Sequence, residues 1–280
     1  MPVLSQLIFY PIKSCAGIRL PSATLTGAGL MHEQVHDREW MLVDDNGDFL
    51  TQRDYPRMAL IVPRLRSEVL ELRAPGMLRL HIMLDLAETP TRQVTLWQHT
   101  LDAYDGDSVT RRWFSQFLGV SCHLVRFHPE AHHPVNPART GGKDIGSLFS
   151  DGYPLLLIGQ ESLNDLNRRL VVHGRTALPM DRFRPNLVIV GAEAHDEDHA
   201  ARLLIGDAEI RPVKPCPRCA VPSIDQQTGG LGPDPLDVLR TYRDGVGGIS
   251  GIGFGMNCIV TQGEGTVLHI GQEVALELAF

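Results

Sequence analysis

Trp40-Met41-Leu42-Val43-Asp44-Asp45-Asn46-Gly47-Asp48-Phe49-Leu50-Thr51 is the stretch from which the fold is read. Two short apolar runs, Trp40 to Val43 and Phe49 to Thr51, flank a break of Asp, Asn and Gly, the residues that tight turns require. Strand, turn, strand is the expectation. The same punctuation recurs outward in both directions: Val3 to Phe9, Met58 to Val62, Val69 to Leu72, Leu78 to Ile82 and Val94 to Trp97 are short apolar or alternating runs, and Ala74-Pro75-Gly76 supplies another turn. That spacing predicts a β-sandwich or barrel through the first third of the chain.

The period changes at Ser108 to Leu118, where Val109, Trp113, Phe114, Phe117 and Leu118 fall on one helical face, with Ser108 as N-cap and Gly119 as stop. This helix marks the expected boundary between a first domain, 1–119, and a second, 120–280. Phe127 to Asp151 has no clear period and reads as a long excursion, either flexible or beside the active site. Beyond it, helices are expected at Gln160 to Leu170, Asp196 to Leu204 and Pro235 to Tyr242. Strands are expected at Asn186 to Val190, Ala208 to Val213, Cys258 to Thr261, Val267 to Ile270 and Val274 to Leu278.

With 280 residues and 43% apolar content, the chain can build one large domain or two modest ones. A formal net charge of -7, spread along the chain, gives no global electrostatic reason to bind nucleic acid or an anionic membrane, so an anionic ligand would need a local basic pocket. No apolar run approaches the roughly eighteen residues of a membrane span, and Met1 to Tyr10 lacks the basic start of a signal peptide. Five cysteines form an odd, sparse set unlike a secreted disulfide framework, which predicts a reducing cytoplasm.

Chemistry concentrates in Lys214-Pro215-Cys216-Pro217-Arg218-Cys219, where two prolines stiffen the backbone and adjacent cations favour thiolate over thiol. A rigid thiolate suits a soft metal, yet two cysteines buried for packing alone would look the same. A structural zinc would need a second ligand pair, and a thioredoxin-type site would need a helix after the first cysteine, so ligation of one metal or cofactor by one thiolate is the functional reading left. Counter-charges for such a group stand in Tyr10-Pro11-Ile12-Lys13-Ser14-Cys15, His36-Asp37-Arg38 and Arg182-Phe183-Arg184-Pro185-Asn186. Gly247 to Gly255 has no dinucleotide or P-loop register and reads as a flexible loop lying against a ligand. His123, His128, His132 and His133 are irregularly spaced and read as solvated histidines.

The ordered set Tyr10 to Cys15, Asp37-Arg38 before Trp40, Ser150-Asp151-Gly152-Tyr153-Pro154, Phe183-Arg184-Pro185-Asn186, Ile205-Gly206-Asp207 and Cys216-Pro217-Arg218-Cys219 resembles the MOSC family, in its mitochondrial amidoxime-reducing and bacterial YcbX-like branch. The resemblance covers essentially the whole chain. It implies a β-rich α+β fold, with an N-terminal β-barrel domain followed by a β-barrel MOSC domain and a few peripheral helices. It also implies a bound molybdenum cofactor, with Cys219 as the molybdenum ligand and catalytic residue, and Lys13, Ser14, Arg38, Arg184 and Asn186 against the pterin or its phosphate. Asp151 and Tyr153 join the cofactor-binding set, Asp151 also as a catalytic residue, and Cys216 is left as a neighbour. Residue chemistry does not separate Cys216 from Cys219. Lacking the C-x₄-C-x₂-C run of a ferredoxin domain, the chain is expected to take electrons from a separate ferredoxin-, flavodoxin- or cytochrome-type protein. The implied reaction is reduction of N-hydroxylated compounds such as amidoximes, hydroxamic acids and N-hydroxylated bases. The alternative, carried by a similarity of the second domain to molybdenum-cofactor sulfurases, is a sulfur-transfer or cofactor-carrier protein.

Overall fold

The computed structural model describes residues 1–85 and 90–279; Phe280, the last residue of the second expected domain, lies outside the described residues. Strands dominate, and the β-rich α+β class expected from the sequence is the class observed. The principal sheet has eight strands in the order Ile18–Leu20, Val3–Phe9, Leu187–Val190, Leu155–Gly159, Gly253–Gln262, Ala208–Pro217, Ala200–Ile205 and Ala275–Leu278. Only the Leu155–Gly159 and Leu187–Val190 pair runs parallel within it. A four-stranded sheet orders Thr91–Leu96, His99–Asp105, His123–Phe127 and Trp40–Val43, another orders Val267–His269, Ser22–Thr26, Gly29–His32 and Val35–His36, and three strands form a separate meander over Val62–Arg66, Val69–Arg73 and Leu80–Met83.

Strand alternation explains the burial. In Ser22–Thr26 the even-spaced Ala23 and Leu25 are buried while their neighbours are half-buried, which is the period-two signature of a one-sided sheet. The first strand crosses the chain's length to pair with Leu187–Val190, Leu7 facing Leu187, and a continuous core joins Leu4, Phe9, Trp40 and Phe114 to Leu187 and Val260. The helix Gln160–Val172 covers the opposite face, burying Leu163, Leu166 and Leu170 against Ile158, Val188 and Phe254.

The stretch Trp40 to Thr51 forms its strand and turn as read, with the Asp44 carboxylate accepting from the Asn46 and Asp48 backbone N–H groups at 2.9 Å each. Phe49 makes only an isolated bridge to Val43, so no second strand forms. Met58 to Val62 is a 3₁₀ turn over Pro56–Leu60 rather than a strand: Pro56 sets the first position, and Met58 and Ala59 turn inward. The helix Ser108–Leu118 has the expected limits, but Asp107 is its cap, accepting from Thr110 N–H at 2.7 Å, and Val109 is exposed. Asp196 to Leu204 is not a helix. Only Asp196–Asp198 coils, because Gly206 closes a hairpin in which Ala200–Ile205 pairs with Ala208–Pro217, and ladder bonds replace helical ones. No helix among the described residues is long and apolar enough to cross a membrane.

Candidate functional site

Three loops from distant parts of the chain are laced together by backbone hydrogen bonds before any side chain is considered. Arg38 N–H donates to Tyr10 O at 2.7 Å, Lys13 N–H to Trp40 O at 2.8 Å, and Phe149 N–H to Arg38 O at 3.0 Å. A fourth segment joins through Asn186, whose side-chain oxygen accepts from Arg38 Nη1 at 2.9 Å and from Leu156 N–H at 3.2 Å while its Nδ2 donates to Ile8 O at 3.1 Å. The long excursion from Phe127 therefore ends in the site, at Ser150 and Asp151.

These loops, with Lys214 to Cys219, enclose a cavity of about 230 Å³. All eight residues expected from the sequence line it: Lys13, Ser14, Arg38, Asp151, Tyr153, Arg184, Asn186 and Cys219. They were assembled from positions up to 206 residues apart, Lys13 to Cys219. Arg53, Arg182, Lys214 and Arg218 add to Lys13, Arg38 and Arg184, so that seven cations and one carboxylate, Asp151, line the cavity of a chain whose net charge is -7, with Asp37 and Asp225 pairing Arg38 and Arg182 from outside the lining. The local basic pocket that an anionic ligand requires is thus present.

Each cation is held differently. Lys13 is buried, donates to Phe149 O at 3.0 Å, and forms an ion pair with Asp151. Burial lowers the Lys13 pKa, partly offset by Asp151. Crowding by the cavity wall raises the Asp151 carboxyl, and Lys13, by charge and hydrogen bond, together with Arg38 and Trp97 lowers it by more, leaving it at about 2. Arg38 is clamped by the buried Asp37 and by Asn186. Arg38 and Arg184 both lie over the ring of Tyr10, at 4.4 and 4.3 Å from its centre, and burial pushes that phenol up to about 12. Burial also lowers the Arg184 pKa.

Ser14, Arg38 and Arg184 all adopt left-handed backbone conformations, with φ of 65°, 53° and 56°. A side chain in that region costs about 1–2 kcal/mol per residue, so three such residues at one cavity mark a geometry maintained against local preference.

The cysteines differ in presentation. Cys216 lies within the strand Ala208–Pro217, longer than expected, and is half-buried, whereas Cys219 is exposed beyond the strand's end. Burial pushes the Cys216 thiol up, and Arg218 returns it only part of the way. Arg218 also directs Nε to Phe254 O at 2.9 Å and Nη1 to Phe183 O at 3.1 Å, bracing the loop. Lys214 and Arg218 act on Cys216 in the expected direction, toward thiolate, but burial outweighs them.

Whether an anionic cofactor suits these residues is tested by their unfilled hydrogen-bonding capacity. Among the described residues, buried Arg184 Nη1, Arg218 Nη2 and Ser150 Oγ have no hydrogen-bond partner, and all three residues line the cavity. Unpaired buried donors are costly. An anion with several acceptor oxygens fits them. Asn186 contributes differently, since its amide oxygen is already engaged twice and one amide hydrogen is left.

Other expectations are revised. The glycine run does not line the cavity: a Cβ on Gly247 would stand 2.6 Å from Pro215 Cγ, so this loop packs behind the cysteine strand. His123 and His133 are buried rather than solvated, with His123 bonded to Asp105 at 3.1 Å and His133 to Leu148 O at 2.7 Å. Sequence reasoning missed Thr51, Gln52 and Arg53 as lining residues: Thr51 ends the run Phe49 to Thr51, Gln52 and Arg53 follow it, and none carries a local signal. Gln52 donates to Ser14 O at 2.7 Å and supports that strained residue.

Comparison with known proteins agrees with this construction. The family description MOSC N-terminal beta barrel domain matches residues 1–121, and MOSC domain matches residues 144–275. A rat protein named mitochondrial amidoxime reducing component 2 is 33% identical over 247 residues, which cover 86% of this chain and 72% of that protein. Human mitochondrial amidoxime-reducing component 1 is 32% identical over 254 residues, with 86% and 72% covered. A rice molybdenum cofactor sulfurase is 32% identical over 259 residues, covering 86% of this chain and 31% of the sulfurase.

Proposed function

The chain belongs to the MOSC family, and from that premise we propose that it is a molybdenum-cofactor-dependent oxidoreductase that reduces N-hydroxylated compounds, among them amidoximes, hydroxamic acids and N-hydroxylated bases. The observation that carries the proposal is the convergence of seven cations and one exposed cysteine on a single cavity in an acidic chain. When bound, the cofactor supplies two-electron oxygen-transfer chemistry at molybdenum, renewed by electrons from a separate ferredoxin-, flavodoxin- or cytochrome-type protein.

The chain's own residues divide the remaining work. Cys219 offers the thiolate for the metal, and its exposed position leaves that sulfur accessible. Arg184, Arg218 and Ser150 supply unpaired donors for the cofactor's anionic oxygens, while Lys13, Ser14 and Arg38 border the same space. Asn186 positions Arg38 through its amide oxygen. Asp151, held ionised by Lys13, is an acceptor at neutral pH, suited to orienting a substrate N–H or receiving a proton. Tyr153 lines the same wall, with its phenol pKa raised by burial. Five free cysteines fit a reducing cytoplasm.

An exposed Cys219 and the 32% identity to a molybdenum cofactor sulfurase also favour, as a second reading, a sulfur-transfer or cofactor-carrier protein. One experiment separates the two. The protein is purified from a host that makes molybdenum cofactor, its molybdenum and pterin are measured, and benzamidoxime reduction is assayed with a chemical electron donor. The enzyme reading expects stoichiometric cofactor with turnover. Stoichiometric cofactor without turnover would favour the carrier.

A further inference from the structure

Trp97 stands where a glycine would be expected. It is the first residue of the two-residue loop Trp97-Gln98 that joins the strands Thr91–Leu96 and His99–Asp105, and its φ is 56°. Short hairpin loops prefer glycine or asparagine at positions of positive φ, and a bulky aromatic there is an outlier. Trp97 nevertheless remains 45% exposed, so burial does not account for the strain.

Its contacts point to the cavity mouth. Trp97 Nε1 donates to Asp151 Oδ1 at 3.3 Å, the same oxygen that pairs with the buried Lys13 ammonium. Phe49 packs on the indole at 4.9 Å between ring centres, and the Arg53 guanidinium lies 4.8 Å from it. Among the described residues, Asp151 Oδ2 has no partner, and the Asp151 side chain is 74% exposed. Two donors therefore fix one carboxylate oxygen and leave the other free at the opening.

We propose that Trp97 is a specificity-determining positioning residue, which holds Asp151 so that its free oxygen accepts the N–H group beside the N–OH of an amidine-type substrate. This rests on the reductase reading and narrows it. A planar substrate carrying an N–H donor next to its reducible nitrogen is preferred over one that lacks that donor, because the donor gains a charge-assisted hydrogen bond.

The test uses the cofactor-loaded protein and two substrates with the same reducible C=N–OH group: benzamidoxime, and its N,N-dimethyl derivative, which has no N–H. Trp97→Phe keeps a ring and removes the N–H donor; Trp97→His restores a donor. Loss of one hydrogen bond of this kind predicts a fall of about tenfold in kcat/KM for benzamidoxime in Trp97→Phe. The dimethyl derivative should change by less than about twofold, and Trp97→His should recover part of the loss. With the electron donor omitted, benzamidoxime binding, followed by calorimetry, should weaken in Trp97→Phe at unchanged molybdenum content. Equal losses on both substrates, no loss on either, or loss of molybdenum would overturn the inference and leave the reductase reading in place. A loaded wild-type protein that reduces neither substrate would remove that reading, and the inference with it.

Discussion

Serine replacements of Cys219 and Cys216, made one at a time, separate the two sulfurs. Cys219→Ser is expected to lose bound molybdenum and Cys216→Ser to retain it, measured by elemental analysis of the purified proteins. Molybdenum lost only from the Cys216 variant would reassign the ligand. At Lys13 the expectation concerns pH. Folding lowers the Asp151 pKa to about 2, so its ionised form favours the folded state above the ordinary carboxylate range, and that contribution disappears as pH falls toward about 2. The carboxylate is open to solvent, which limits the size of the effect. In Lys13→Gln the ammonium is gone and the Asp151 titration should move up into the ordinary range or above it, visible as a shifted midpoint of its carboxyl carbon in NMR. An unmoved midpoint would show that Lys13 is not the cause.

At the scale of elements, local signals were readable where one short-range rule governed. The helix Ser108–Leu118 stops at Gly119, whose φ of 75° is the left-handed conformation a C-terminal glycine supplies. The helix Gln160–Val172 shows its apolar stripe directly, and Leu166 at its centre has no exposed surface. Leu166→Ala should therefore cost about 2–5 kcal/mol of stability, since it removes buried methyl groups and opens a cavity. Chemical denaturation measures this, and a loss below about 1 kcal/mol would mean that the helix packs loosely. The reading failed at Asp196 to Leu204 for the opposite reason. Its acidic start and apolar residues satisfy a helical pattern, but partners at Ile210 and Leu276 draw Leu203 into a sheet. Pairing with distant strands overrides a local preference worth a few tenths of a kcal/mol per residue.

For the whole molecule, the boundary expected at residue 119 does not coincide with a break in strand pairing. Val3–Phe9 pairs with Leu187–Val190, Ser22–Thr26 with Val267–His269, and Trp40–Val43 with His123–Phe127. A fragment of residues 1–119 thus lacks three strand partners and should not fold by itself. Amide NMR dispersion checks this, and a well-dispersed spectrum would refute it.

The β-rich class, the limits of the first strand and of the helix after Asp107, and eight of the residues that line the cavity followed from sequence, the eight through motif order rather than local pattern. Turn chemistry, hydrophobic period and motif order act over a few residues or survive as ordered motifs. Only the tertiary structure decided that Lys13, Arg38, Asp151 and Arg184 share one cavity with Cys219. It also decided that Asn186 braces Arg38, that Arg218 turns into the wall, and that Trp97 reaches Asp151. Those relations depend on side-chain direction and on bonds between residues 35 to 148 positions apart, for which a linear pattern carries no period.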